Sequence, residues 1–213
     1  MLLKVSLKGV SFVAGIVGII LGATALFSVS FNLSDAGSIP SIDRSSSPHD
    51  IRYESTGLTK DLLSSHGIPT RLMIPKIRVN ISIEHVGLTS QGAMEVPKNF
   101  INTAWFELGP RPGDRGSAVI DGHFGFIKKK PGAFNNLHRL RKGDKLSVRD
   151  EKGVVISFVV RESRIYGQDE DVPEVFASND GKAHLNLITC QGIWSKSKKN
   201  YSERLVVFTD LVP

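Results

Sequence analysis

From about residue 68 to residue 212 the chain is written in short β-type runs separated by turn residues, and nothing else in it constrains the fold as strongly. Residues 71–74 are largely apolar and stop at Pro75. Over residues 79–86, Val79, Ile81 and Ile83 alternate with Asn80, Ser82 and Glu84, the two-residue period of a strand with one wet face. Residues 94–96 form a shorter run ended by Pro97, and residues 116–121 a compact apolar one. Residues 145–149 and 154–166 flank the turn Asp150-Glu151-Lys152-Gly153 and read as a long hairpin. The last two runs are residues 185–190 and 204–208. About eight strands at this spacing predict a mainly β domain, a barrel or a sandwich. Helix is expected only at residues 133–137 and in one turn at residues 173–176.

The start of the chain follows a different pattern. Lys4 and Lys8 precede an apolar stretch over residues 10–27, which continues without charge through Phe31 and Leu33. Such a length spans a bilayer as a helix. The two lysines place its N-terminal end in the cytoplasm and the rest of the chain outside. Ala23-Thr24-Ala25 also fits the cleavage site of a signal peptide, but the apolar run exceeds a signal peptide's apolar core. The expectation is therefore an uncleaved membrane anchor over residues 1–33. Residues 34–67 are rich in Ser, Asp, Gly and Pro and, beyond a short helical pattern at residues 58–63, show no apolar period. They read as a flexible extracellular stalk, with the β domain over residues 68–213.

The formal net charge is +6, with the basic residues scattered. The densest clusters, Lys128-Lys129-Lys130 and Lys196, Lys198 and Lys199, fall in predicted loops without the interleaved aromatics of a base-stacking surface. No nucleic-acid partner is expected. Solvated loops, or attraction to an anionic cell surface, account for these lysines. The single cysteine builds no internal disulfide framework. Outside a cell such a thiol is either a buried small hydrophobe or a reactive group.

Cys190 closes the run Leu185-Asn186-Leu187-Ile188-Thr189-Cys190, Arg204 opens Arg204-Leu205-Val206-Val207-Phe208, and His123 closes Ala118-Val119-Ile120-Asp121-Gly122-His123. A thiol, an imidazole and a guanidinium, each at the edge of an apolar strand, can serve as nucleophile, proton carrier and oxyanion partner. The plain alternatives are a core thiol, a satisfied turn histidine and a surface charge on an edge strand. His49, His66, His85, His138 and His184 read as structural or solvated. His184 shares the strand and side of Cys190, but six residues put it roughly 20 Å away. Residues 191–201 read as a polar, basic loop in which Trp194 either walls a substrate groove or packs under the loop. Asp169, Glu170, Asp171 and Glu174 form an acidic loop whose spacing is not diagnostic of a hard-cation site. One cysteine and dispersed histidines give no zinc spacing, so no metal or cofactor is expected.

The ending LNLITC…RLVVFTDLV, the segment AVIDGHF and the N-terminal anchor together resemble a sortase, a cysteine transpeptidase of the bacterial cell surface. The family signature is a His after a Gly at a strand end, a Thr-x-Thr-Cys-like strand, and an Arg on the following strand. Here these are Gly122-His123, Leu187-Ile188-Thr189-Cys190 and Arg204, three separated motifs in the family's order. Leu187 departs from the commonest pattern, which has Thr, and this bears on subclass rather than chemistry. In overall character the chain is most similar to the class D, E and F sortases of Gram-positive bacteria, class F foremost. The absence of a second apolar span after the domain is unlike many class C enzymes.

The resemblance implies a closed eight-stranded β-barrel with one or two short helices. It implies that Cys190 cleaves an LPXTG-like sorting signal of a surface protein between Thr and Gly, forming a thioacyl-enzyme. The acyl group would pass to an amine, on a peptidoglycan precursor (lipid II) or on a pilin lysine. Arg204 would stabilise the carbonyl oxygen or hold the peptide, and His123 would protonate the leaving amine. Cys190 and His123 would not form a tight ion pair at rest, and the Thr189 hydroxyl would lie near the substrate. Some members are stimulated by calcium through carboxylates on loops, but the acidic loop here reads first as solvated. Two rivals carry different marks. The L,D-transpeptidases have a compact Ser-His-Gly-Cys-x-Arg run, whereas Cys190 follows Ile188-Thr189. A noncatalytic surface β-barrel binding wall polymer through its lysines would have an unreactive thiol.

Overall fold

In the computed structural model, residues 66–213 are described. The expected anchor, nearly all of the stalk and the helical pattern at residues 58–63 lie outside them. Among the described residues no helix is long and apolar enough to cross a membrane.

Strands β1 (Pro69–Ile74), β2 (Val79–Val86), β3 (Thr103–Phe106) and β4 (Gly116–Gly122) come first. A small hairpin follows, β5 (Phe126–Ile127) with β6 (Lys130–Pro131). Then come β7 (Lys145–Asp150), β8 (Val155–Gly167), one turn of helix α1 (Pro173–Phe176), β9 (Ala183–Ser195) and β10 (Asn200–Leu211). Eight strands close one barrel in the order β1-β2-β3-β4-β9-β10-β8-β7, with β7 returning to β1. The β2/β3 and β4/β9 pairs are parallel and the others antiparallel. Closure leaves no free edge, which disposes of the edge-strand alternative for Arg204: β10 lies between β8 and β9.

Alternation along β9 sets the two faces. Leu185 and Leu187 enter the barrel core with Leu72, Ile74, Ile120 and Val207. Asn186 and Ile188 face outward, and Ile188 joins a second apolar cluster with Val119, Val175, Val206 and Phe208. Helix α1 covers that outer face, pinned where the Asn186 side-chain amide donates to the Val175 carbonyl at 2.7 Å. A buried polar side chain thus finds a partner in the backbone of the helix that buries it.

Several expectations are corrected. Residues 94–96 make only an isolated bridge between Leu88 and Met94. The strand is instead Thr103–Phe106, buried at all four positions, so burial on both faces removes the polar–apolar alternation that would mark it. The predicted helix at residues 133–137 is a turn leading into a 3-10 turn at Leu137–Arg139. Its Phe134, Leu137 and Leu140 are buried in the barrel core, each contributing about 1.5–3 kcal/mol. The expected loop over residues 191–201 is mostly strand, because β9 and β10 run to Ser195 and from Asn200 and leave a short turn between them. Residues 66 and 67, expected in the stalk, are tied to the barrel. His66 pairs with Asp114 at 2.9 Å and Gly67 N–H donates to the Asp150 carboxylate at 2.9 Å.

Candidate active site

Cys190 and Arg204 are directly opposed across the β9/β10 ladder. Both face outward, since Ile188 and Val206, two residues away on each strand, belong to the outer cluster. Opposed side chains on one face approach to about 5 Å between β-carbons, so the fold sets a guanidinium beside the thiol. Arg204 is 1% exposed. Its Nη1 donates to the carbonyls of Tyr201 (3.1 Å) and Glu203 (2.7 Å), and its Nη2 to Asn200 Oδ1 (2.9 Å). Asn200, itself 3% exposed, donates onward to Gln168 Oε1 at 2.9 Å. The guanidinium is held before any substrate arrives, which limits the reorganisation needed at the moment of reaction.

His123 follows directly after β4. Its Nε2 lies 2.8 Å from the Pro97 carbonyl and its ring stacks on Phe100 at 5.0 Å and 20°. A carbonyl only accepts, so Nε2 carries the proton and Nδ1 is left to take one. The Pro97–Phe100 segment is held from β2 by Glu84, whose carboxylate accepts from the backbone N–H of Lys98 (2.8 Å) and Asn99 (3.1 Å) and from the Asn102 amide (3.0 Å). Burial pushes the Glu84 carboxyl up, and these donors more than reverse this, leaving it below the ordinary value. From the other side, Gly122 admits Phe134: a β-carbon there would sit 2.6 Å from the Phe134 ring.

Cys190 and His123 line one cleft of about 610 Å³. Trp194 forms part of its wall, half exposed, with its ring edge-on to Tyr201 at 5.1 Å, and Tyr201 is edge-on to Phe124 at 5.3 Å. Thr189 is placed differently from the expectation. It is 1% exposed, faces the barrel side of β9, and its hydroxyl donates to the Gly122 carbonyl at 2.7 Å. It braces the strand end that carries His123 and is not part of the cleft wall.

Burial pushes the Cys190 thiol above its usual range, Arg204 draws it down in part, and Asp121 pushes it up. Asp121 sits two residues before His123 and is itself pushed up to about 6 by burial, against the pull of His123 and Arg204. At rest the site therefore favours a neutral thiol. Sequence reasoning missed Asp121, Glu84 and Asn200. Asp121 stood inside the quoted motif, but Glu84 looked like an exposed strand residue and Asn200 like part of a loop.

His184 is 5% exposed at the far end of β9, with Nδ1 2.8 Å from Asp210 and Nε2 3.0 Å from Asp180, a structural arrangement remote from the cleft. In the acidic loop, Glu170 accepts from Gly167 N–H (2.8 Å), Glu174 from the Tyr166 hydroxyl (3.0 Å), and Asp169 from the Gln168 amide (2.7 Å). Among the described residues no three His, Cys, Asp or Glu side chains converge as metal ligands would.

The sequence model of the Sortase domain matches residues 72–212. Among solved structures, sortase C-1 from Actinomyces oris is 24% identical, with 68% of this chain and 73% of that one covered at a TM-score of 0.53. Streptococcus agalactiae sortase C1, in complex with MTSET, is 24% identical over 68% of this chain and 67% of that one, TM-score 0.53. Sortase A from Corynebacterium diphtheriae, a lid mutant, is 20% identical over 71% and 74%, TM-score 0.53. At these identities the structural likeness speaks for the fold and leaves subclass open. No curated protein matches the chain.

Proposed function

The chain belongs to the sortase family, and from that premise we propose that it is a cysteine transpeptidase acting on an LPXTG-like sorting signal of surface proteins. The observation that carries the reading is one cleft holding Cys190 and His123, with Arg204 opposite Cys190 in the ladder. Substrate binding displaces water, and the Cys190 proton passes to His123, whose Nδ1 is the acceptor left by the Pro97 hydrogen bond. The thiolate attacks the Thr carbonyl, and the oxygen gains negative charge that the Arg204 guanidinium offsets. Collapse of this adduct breaks the Thr–Gly bond, with His123 giving its proton to the leaving amine. A thioacyl-enzyme remains on Cys190. An incoming amine, that of a peptidoglycan precursor, loses its proton to His123 and attacks the thioacyl carbon; the carbon–sulfur bond breaks, and the released Cys190 thiolate recovers the proton from His123. Trp194 walls the groove beside the acyl chain, and Thr189 positions the His123 end of β4. The apolar segment over residues 10–27, preceded by Lys4 and Lys8, supports an anchored enzyme with its catalytic domain outside the cell.

The test uses the purified full chain in neutral detergent with LPXTG-like peptides and triglycine. Mass spectrometry should find a thioacyl adduct on Cys190 and an amine-dependent ligated product, both absent in Cys190→Ala. A folded protein whose thiol alkylates readily but acylates with no peptide would instead sink this signal and this chemistry. An unreactive thiol would favour the wall-binding module.

A further inference from the structure

A second cavity, of about 590 Å³, opens where β1 turns into β2 and meets the segment that follows the small β5/β6 hairpin. Its wall consists of Lys76, Ile77, Arg78, Asn136, Arg139 and Arg141. Four of the six carry positive charge, and no carboxylate lines it. Arg141 is fixed, with Nη1 donating to the carbonyls of His138 (2.8 Å) and Leu140 (2.9 Å). Lys76, Arg78 and Arg139 are exposed, and among the described residues their side chains make no ion pair or hydrogen bond.

The backbone holds these cations in place. Arg78 lies at φ 56° and ψ 37°, a left-handed conformation that a β-carbon disfavours and that Gly or Asn adopts more readily. Ile77 and Val79 on either side are buried at 7% and 9% exposure, so Arg78 is held outward between two anchored neighbours. Across the cleft, Leu137 and Leu140 are buried in the core and Arg139 projects from between them. Four like charges around one concavity repel each other, and concave walls concentrate their field. An anion relieves that repulsion, and guanidinium forks match the oxygens of a phosphate.

We propose that this cleft binds a phosphate group borne on a larger molecule, the chemistry common to an anionic lipid headgroup and to a diphosphate. It is independent of the transpeptidase reading, because neither Cys190 nor His123 contributes to it.

Isothermal calorimetry on the full chain in neutral detergent tests this with two probes, glycerophosphoglycerol for the headgroup phosphodiester and inorganic pyrophosphate for the diphosphate. Saturable one-to-one binding of at least one probe is expected, and the tighter probe identifies the source. Arg78→Ala with Arg139→Ala should weaken it tenfold or more. Lys128→Ala with Lys129→Ala, the same charge removed from another loop, should leave it unchanged, as should Cys190→Ala. Arg78→Asn, which suits the left-handed backbone, should melt no lower than the parent yet bind severalfold more weakly. No saturable binding of either probe, or equal loss in the two charge-removal pairs, would overturn the proposal.

Discussion

The thiol of Cys190 is set by two neighbours of opposite sign. Arg204 draws it toward the thiolate and Asp121 holds it back, while burial raises it overall. Replacing each neighbour by a neutral amide side chain should therefore move the thiol in opposite directions. Arg204→Gln should shift the pH profile of Cys190 alkylation upward, and Asp121→Asn should shift it downward, as the loss of a close opposite or like charge requires. Arg204→Lys keeps the charge but loses the fork that engages Tyr201, Glu203 and Asn200. It should leave the profile near the parent's while kcat/KM for a sorting peptide falls about 100-fold. Matching shifts in both amide variants would contradict this arrangement. His123, Cys190 and Arg204 stand out as candidates in the sequence because each is a distinctive residue type at the end of an apolar run. Asp121 and Asn200 do not, because their importance comes from what folds beside them.

At the scale of elements, the site depends on two supports that bear on β4 and the loop before β3. Gly122 lets the Phe134 ring pack against the strand end, with room for hydrogen only. Gly122→Ala should cost about 1–3 kcal/mol in denaturant unfolding and also lower kcat, since relief of the clash must move Phe134 or the strand that carries His123. Glu84 holds the loop that contacts His123 by accepting three hydrogen bonds. Glu84→Ala should cost about 1–2 kcal/mol of stability and raise proteolytic cleavage within residues 97–102, whereas cleavage elsewhere should not change. A loop that stays protected would remove Glu84 from this role. The elements themselves were unevenly legible. β2 and β8 announce themselves by alternation along one half-buried face, and β9 and β10 by longer, largely apolar runs. β3 does not, because it is only four residues long and buried on both sides, and the expected helix before Leu137 is a turn because its apolar residues plug a barrel instead of lining a helix face.

For the whole molecule, pH acts through carboxylates shifted in opposite directions. Burial pushes Asp150 up, but the N–H groups of Gly67, Val154 and Lys152 outweigh it and hold it below the ordinary range. Its contribution, like that of Glu84, is present above the unfolded carboxylate value near 4 and is lost as pH falls through the lower folded value. Asp121 has the contrary sign. With a folded value of about 6, its ionisation weakens the fold as pH rises from about 4 to 6. Asp150→Ala should thus lower Tm at pH 7, remove about 3 kcal/mol of unfolding free energy for three lost hydrogen bonds, and shrink the drop on acidification. Asp121→Asn should raise Tm at pH 7 relative to the parent and change it little at pH 4. Equal effects of either variant at both pH values would refute the assigned direction. The sequence alone determined that the domain is mainly β and that its few helical turns are short, and it singled out one thiol, one imidazole and one guanidinium as candidates for chemistry, because strand periodicity and residue type are local properties. Tertiary structure decided the closed strand order, the pairing of Cys190 with Arg204, the burial of that guanidinium, the hydrogen bond that leaves Nδ1 of His123 to accept, and the basic cleft between Arg78 and Arg139. Each depends on residues distant in the chain being brought together, and no window of sequence contains that proximity.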